Sequence, residues 1–156
     1  MFRVRLSYAL PLALVAMLGA CGKSASPKAT GSSSPPTGTT APGSLTVTEH
    51  EFAISLSAAS VAAGALAVTA HNTGTIPHEM VAFRTDLAET ALPQVADGSK
   101  VDEEGAGITH VDPEAEDVMP GTDKVANLTL TPGRYVFICN LPGHYKSGMH
   151  AVLTVT

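Results

Sequence analysis

Long apolar stretches, basic charge and helical periodicity are all scarce in this chain, and cysteine occurs only at positions 21 and 139. The longest apolar run, residues 6–18, is interrupted by Ser7 and Pro11. A membrane-spanning helix needs about 20 apolar residues, so this run is too short for one. Beyond residue 44 the only Lys and Arg residues are Arg84, Lys100, Lys124, Arg134 and Lys146, whereas all fourteen acidic residues lie there. A domain this acidic argues against nucleic acid as a partner, because clustered Lys and Arg carry that interaction. Apolar residues at spacings of three and four are few, which argues against a helical fold.

What is present begins with a processing signal. Arg3 and Arg5 precede the apolar run, and Leu18-Gly19-Ala20-Cys21 follows it. The tetrapeptide resembles the lipobox of bacterial lipoproteins, in which the cysteine is lipidated and becomes the first mature residue. Residues 1–20 are therefore expected to be a lipoprotein signal peptide, with Cys21 the lipid anchor of an exported, membrane-attached protein. Residues 21–44 are rich in Ser, Thr, Pro and Gly, and 22–44 contain no aromatic residue. Such a segment cannot bury enough apolar surface to offset its ordering entropy and reads as a mobile tether with a reach of roughly 25 Å. If Cys21 carries lipid, Cys139 is the lone thiol of the mature domain and a structural disulfide is excluded. A lone thiol in an oxidising compartment needs burial or a metal to protect it.

Residues 45–156 read as one all-β domain. Alternating or apolar strand-like runs occupy 45–56, 65–72, 78–85, 124–131, 134–139 and 150–156, separated by turn sequences such as Asn72-Thr73-Gly74, Pro132-Gly133 and Pro142-Gly143. About seven short strands in roughly 110 residues predict a Greek-key β-sandwich or barrel. Residues 86–119 break the pattern. They read as an irregular insertion with a possible short helix near 87–95 and an acidic stretch over 97–119, its charges forming a solvated face rather than a docking patch.

The chemistry concentrates in CNLPGHYKSGM, residues 139–149. Tyr135, Phe137 and Cys139 alternate onto one strand face, and the bulk of the first two marks it as the core face. The sulfur then lies at the rim of the sandwich, where the loop turns back through Pro142-Gly143 and presents His144 and Met149. A fourth donor, His78, follows the turn at Asn72–Gly74. Two imidazoles, one thiolate and one thioether match the ligand set of a blue-copper site, in which a strong trigonal plane and a weak axial bond suit both oxidation states. Zinc accepts Cys and His but does not seek a thioether. A dinuclear copper centre would need a second cysteine in the loop, and a multicopper oxidase several His-x-His elements; the sequence has neither.

Cys139-x4-His144-x4-Met149, with Asn72-x-Gly74-x3-His78 upstream, resembles the cupredoxin superfamily, its sulfocyanin- and auracyanin-like members most and plastocyanin and azurin more distantly. The resemblance implies a type 1 copper ion with His78, Cys139 and His144 as equatorial ligands and Met149 as the axial one. It also implies electron passage through the exposed edge of His144. One departure stands out. Relatives carry Asn or Ser directly after the upstream histidine, tying the two ligand segments together, whereas this chain has Glu79. Either Asn72 or Asn140 takes over that tie or the site is organised differently, and a Glu79 carboxylate beside the copper would lower its reduction potential.

The remaining candidates read more blandly. His71 competes with His78 but sits within an alternating strand, as a surface or hydrogen-bonded side chain. His50, His110 and His150 read as exposed or locally bonded, with a second, weak metal position at His110 among its carboxylates as the rival. Met80 reads as core, Met119 as a loop residue, and Tyr135 as a buried tyrosine bonded to backbone. The expected protein is a monomeric, non-enzymatic, lipid-anchored carrier of single electrons between transient redox partners of the cytochrome or oxidase type. Copper delivery is the competing function, and a subunit of a larger redox enzyme a third.

Overall fold

A computed structural model describes residues 42–156; the expected signal peptide, Cys21 and nearly all of the expected linker lie outside the described residues. The described residues form nine strands and no helix. β1 (Gly43–His50), β2 (Ala53–Leu56), β4 (Gly64–Asn72) and β7 (Asp123–Leu130) make one sheet in the order β2-β1-β4-β7. β3 (Ser60–Val61), β5 (His78–Arg84), β6 (Thr109–Val118), β8 (Gly133–Ile138) and β9 (His150–Val155) make the other, in the order β3-β9-β8-β5-β6. β1 runs parallel to β4, and β3 parallel to β9. The remaining pairs are antiparallel, in a two-sheet sandwich of Greek-key type.

Period-two burial builds the main core. Leu45 and Val47 of β1, Leu66, Val68 and Ala70 of β4, and Ala126, Leu128 and Leu130 of β7 face Met80, Tyr135, Phe137, Leu153 and Val155 across the sandwich. Tyr135 anchors one end: its hydroxyl donates to the Thr131 carbonyl at 2.9 Å and accepts the Thr131 N–H at 3.1 Å. Both partners lie just before the Pro132-Gly133 turn, so one side chain holds the loop onto the strand it feeds. Tyr135→Phe leaves these two backbone groups unpaired and should cost about 1–3 kcal/mol, readable as a lower urea midpoint with an unchanged slope.

Three expectations about the elements are corrected. Residues 45–56 are two strands joined by a tight turn at Glu51-Phe52, and β1 already begins at Gly43, inside the expected tether. No helix forms over 87–95. The acidic stretch is not an irregular insertion throughout, because residues 109–118 are an edge strand, β6. Their period was obscured by bulges: Val111 pairs with Ala82, Ala115 with Met80, and Val118 with His78. Inward positions thus fall at spacings of four and three instead of two. Outward charges and Pro113 suit an edge position, where they discourage pairing with another chain.

Residues 86–108 also have a packing role. They cover the outer face of the second sheet, where Leu92 and Val101 join Val81, Phe83, Val136, Ile138 and Tyr145 in a second buried cluster. β8 is thereby buried on both faces, which explains why Tyr135, Val136, Phe137 and Ile138 are all apolar or aromatic.

Candidate metal centre

Cys139 directly follows β8 at one end of the sandwich, and its side chain is fully buried. His78 opens the neighbouring strand β5, also fully buried. His144 comes from the loop, held by a turn in which its amide donates to the Leu141 carbonyl at 3.0 Å. The His144 Nδ1 lies 3.2 Å from the Cys139 sulfur, and the His78 Nδ1 lies 3.8 Å from it. The two rings meet edge-on with centroids 5.3 Å apart. Met149 is fully buried at the same end. Its amide donates to the His144 carbonyl and its carbonyl accepts the Cys139 N–H, both at 3.2 Å. The structure therefore brings Cys139, His78 and His144 into one cluster and pins Met149 to two of them.

This donor set fits a soft-to-borderline cation. A nitrogen about 2.1 Å and a sulfur about 2.3 Å from a shared ion, spread in one plane, stand about 3.8 Å apart; the His78 separation matches that value and the His144 separation is shorter. Burial lowers the pKa of both histidines, so the neutral, ligating form prevails. Burial pushes the Cys139 thiol up to about 11, so its thiolate needs a cation to offset desolvation.

The tie between the ligand segments differs from expectation. Asn72 does not make it: its side-chain nitrogen donates to the Ile76 and Val118 carbonyls at 2.8 and 2.7 Å, shaping the turn ahead of His78. Nor does Asn140, which accepts the Val101 N–H at 2.8 Å and donates to Glu103 at 2.7 Å. The backbone N–H of Glu79 is the link, reaching the Cys139 sulfur at 3.3 Å. Because side chains alternate along β5, the Glu79 carboxylate projects from the face opposite His78, among Glu114 and Glu116. Its charge still bears on the Cys139 thiol, as a lesser cause of the raised pKa behind burial.

Three neighbours went unread in the sequence. Glu51, in the β1–β2 turn, accepts the amides of Thr75 and Ile76 at 2.6 and 2.8 Å. These bonds, that from Ile76 foremost, hold its carboxyl down to about 2. The same oxygen stands 3.6 Å from the outward nitrogen of His78, too far for a hydrogen bond but near enough for its negative charge to act on the ring. Gly74 makes room for it, since a Cβ there would fall 2.3 Å from that oxygen. Phe52, beside Glu51, packs its exposed ring edge-on to His144 at 5.2 Å. Tyr145 donates to the Glu89 carbonyl at 2.8 Å and accepts the Leu92 N–H at 3.0 Å, so the ligand loop is tied to residues 86–108. Removing the negative charge behind His78 should favour the reduced metal. Glu51→Gln is expected to raise the reduction potential by on the order of tens of mV, measured by voltammetry.

The other histidines stand apart from this cluster. His71 pairs with Asp123 at a partly exposed site, His50 bonds the Glu51 carbonyl at 3.1 Å, and His150 packs on Tyr145. Met80 is in the main core and Met119 is half exposed.

A fold of two β-sheets with Cys, two His and Met gathered at one end defines the copper-binding class of β-sandwich, and the comparisons agree. Residues 41–156 match the family model of copper binding proteins, plastocyanin/azurin family, and the chain belongs to that family. Copper is accordingly its metal. A curated relative, the copper-resistant cuproprotein CopI of Pseudomonas aeruginosa, is 36% identical over 72 residues, 46% of this chain and 40% of that protein. The match thus spans less than half the length of the relative. The dithionite-reduced auracyanin of Roseiflexus castenholzii shares the fold, with a TM-score of 0.50 and 23% identity over 71% of this chain and 94% of that one.

Proposed function

We propose that this protein is an exported, lipid-anchored carrier of single electrons and not an enzyme, in which His78, Cys139, His144 and Met149 would hold the copper. The observation that carries this reading is the fixed donor triangle, with sulfur-to-nitrogen separations of 3.2 and 3.8 Å at a buried sulfur. Copper held there supplies one-electron chemistry between Cu(I) and Cu(II). The chain's part is to keep the donors still. The Glu79 amide steadies the sulfur and Tyr145 the loop, while Glu51 bonds the Thr75 and Ile76 amides of the turn ahead of His78. A frame that does not relax between oxidation states keeps the barrier to transfer low. His144 is only partly buried and meets exposed Phe52, offering an edge through which a transient partner of the cytochrome or oxidase type could exchange electrons with a monomer. Docking surfaces of such partners are small.

A second reading is copper handling, favoured by the likeness to a copper-resistance protein. The two differ in how the metal leaves. A carrier shows a reversible one-electron wave and keeps its copper for hours against a strong chelator. Release of copper to the chelator within seconds, with no reversible wave, would instead establish delivery.

A further inference from the structure

On the outer face of the five-stranded sheet a second set of metal-binding side chains converges. The bulges of β6 bring His110 and Glu114 together, the outward His110 nitrogen standing 3.6 Å from a Glu114 oxygen. The other ring nitrogen faces Glu103 at 3.8 Å and Asp112 at 4.0 Å. Glu103 is aimed rather than free: its second oxygen accepts from Asn140 at 2.7 Å, and Asn140 is fixed by both backbone groups of Val101. Phe83 packs against the His110 ring, with centroids 5.6 Å apart. One donor atom each from Glu103, His110 and Glu114 lie within 4.8 Å of one another, and Glu79 and Glu116 form an overlapping group around Glu114.

These groups are not at rest as they stand. The His110 Nε2, one Glu114 oxygen and one Glu79 oxygen are sealed from solvent and have no hydrogen-bond partner. Buried polar atoms are rarely left so, because each costs about 1–3 kcal/mol unsatisfied. The His–Glu separations are too long for hydrogen bonds. Two ligands about 2.1 Å from one tetrahedral ion stand about 3.4 Å apart; the 3.6 Å from His110 to Glu114 is close to that, and Glu103, which faces the other ring nitrogen, lies within the 4.8 Å that encloses one donor atom from each residue. Burial, with the Glu103 charge adding, raises the Glu114 carboxyl to about 7; carboxylates this crowded want a cation among them.

We propose that Glu103, His110 and Glu114 form a second metal site, selective for a borderline divalent cation of the zinc or copper(II) kind. One imidazole with carboxylates suits such ions, and the absence of sulfur disfavours Cu(I). The site stands independently of the electron-carrier reading, since it shares no ligand with the copper centre.

The test is calorimetric titration of the copper-loaded full chain with Zn²⁺ at neutral pH, with the visible copper absorption recorded throughout. One saturable zinc per chain is expected. Its affinity should fall at least tenfold in Glu114→Gln and in His110→Asn, and stay unchanged in His71→Asn. Glu103→Gln, which lies outside the strands and keeps an oxygen to accept from Asn140, is expected to give the same loss, and retained copper absorption certifies each variant. The proposal is overturned if wild type takes up no saturable zinc, if the variants bind zinc as wild type does, or if uptake proceeds only as copper absorption is lost.

Discussion

Cys139→Ser eliminates the visible thiolate-to-copper absorption and lowers copper affinity by far more than the roughly hundredfold that loss of a ligand's outer partner costs. A serine hydroxyl is not ionised near neutral pH and offers no soft donor, so the trigonal plane loses its strongest member. The fold should survive. The hydroxyl occupies much the same space and can accept the Glu79 N–H that the sulfur accepts at 3.3 Å, so the metal-free variant should unfold within about 1–2 kcal/mol of the metal-free parent. The variant also loses the gain in melting temperature that excess copper gives the parent, because ligand-linked stabilisation follows affinity. A spectrum and a pair of melting curves check all three outcomes.

The second large effect concerns Glu49. It follows Leu45 and Val47 on the inward face of β1, is fully buried, and neither carboxylate oxygen has a partner. Burial, with the Glu79 charge adding, raises its carboxyl from 4.5 to about 8. In the metal-free protein the folded state therefore holds a proton that the unfolded chain has released once pH exceeds about 4.5. Unfolding releases that proton, so the Glu49 contribution to stability is full below about 4.5, falls as pH rises, and levels off above about 8. The loss should be on the order of a few kcal/mol across that window. Glu49→Gln, with no proton to lose, should flatten the decline and leave the variant the more stable of the two at pH 8. Denaturant midpoints at pH 5 and pH 8 for both metal-free proteins measure it, and parallel pH profiles would refute it.

The sequence was informative where one local segment carries the whole signal. Cys139, His144 and Met149 lie in a single loop at equal spacing, with Pro142-Gly143 supplying the turn, so their meeting needs no knowledge of tertiary structure. His78 is readable because it stands between a turn and an alternating strand. Glu49 is legible on the same terms, as the third member of the period-two series that begins at Leu45, although a carboxylate is unusual in a core. What stayed hidden depends on long-range contact. The bulges of β6 give Val111, Ala115 and Val118 the spacing of a helix. Residues 86–108 have no period because they close over an existing sheet face, where Leu92 meets Tyr145 from a distant loop. Glu51 and Phe52 occupy an ordinary turn, and only the packing of that turn against residues 74–78 and His144 gives them a role. The Glu79 substitution misled for a related reason: the link to the sulfur is a backbone amide, which any residue type provides.

The central claim is that a single buried sulfur and two imidazole Nδ1 atoms hold one copper ion in a frame that barely moves on electron transfer. X-ray absorption at the copper edge, on the loaded protein in both oxidation states, tests it most directly. One short copper–sulfur and two copper–nitrogen distances are predicted, nearly equal in Cu(I) and Cu(II). A copper with only nitrogen and oxygen neighbours, or one whose ligand set changes between the two states, would contradict it.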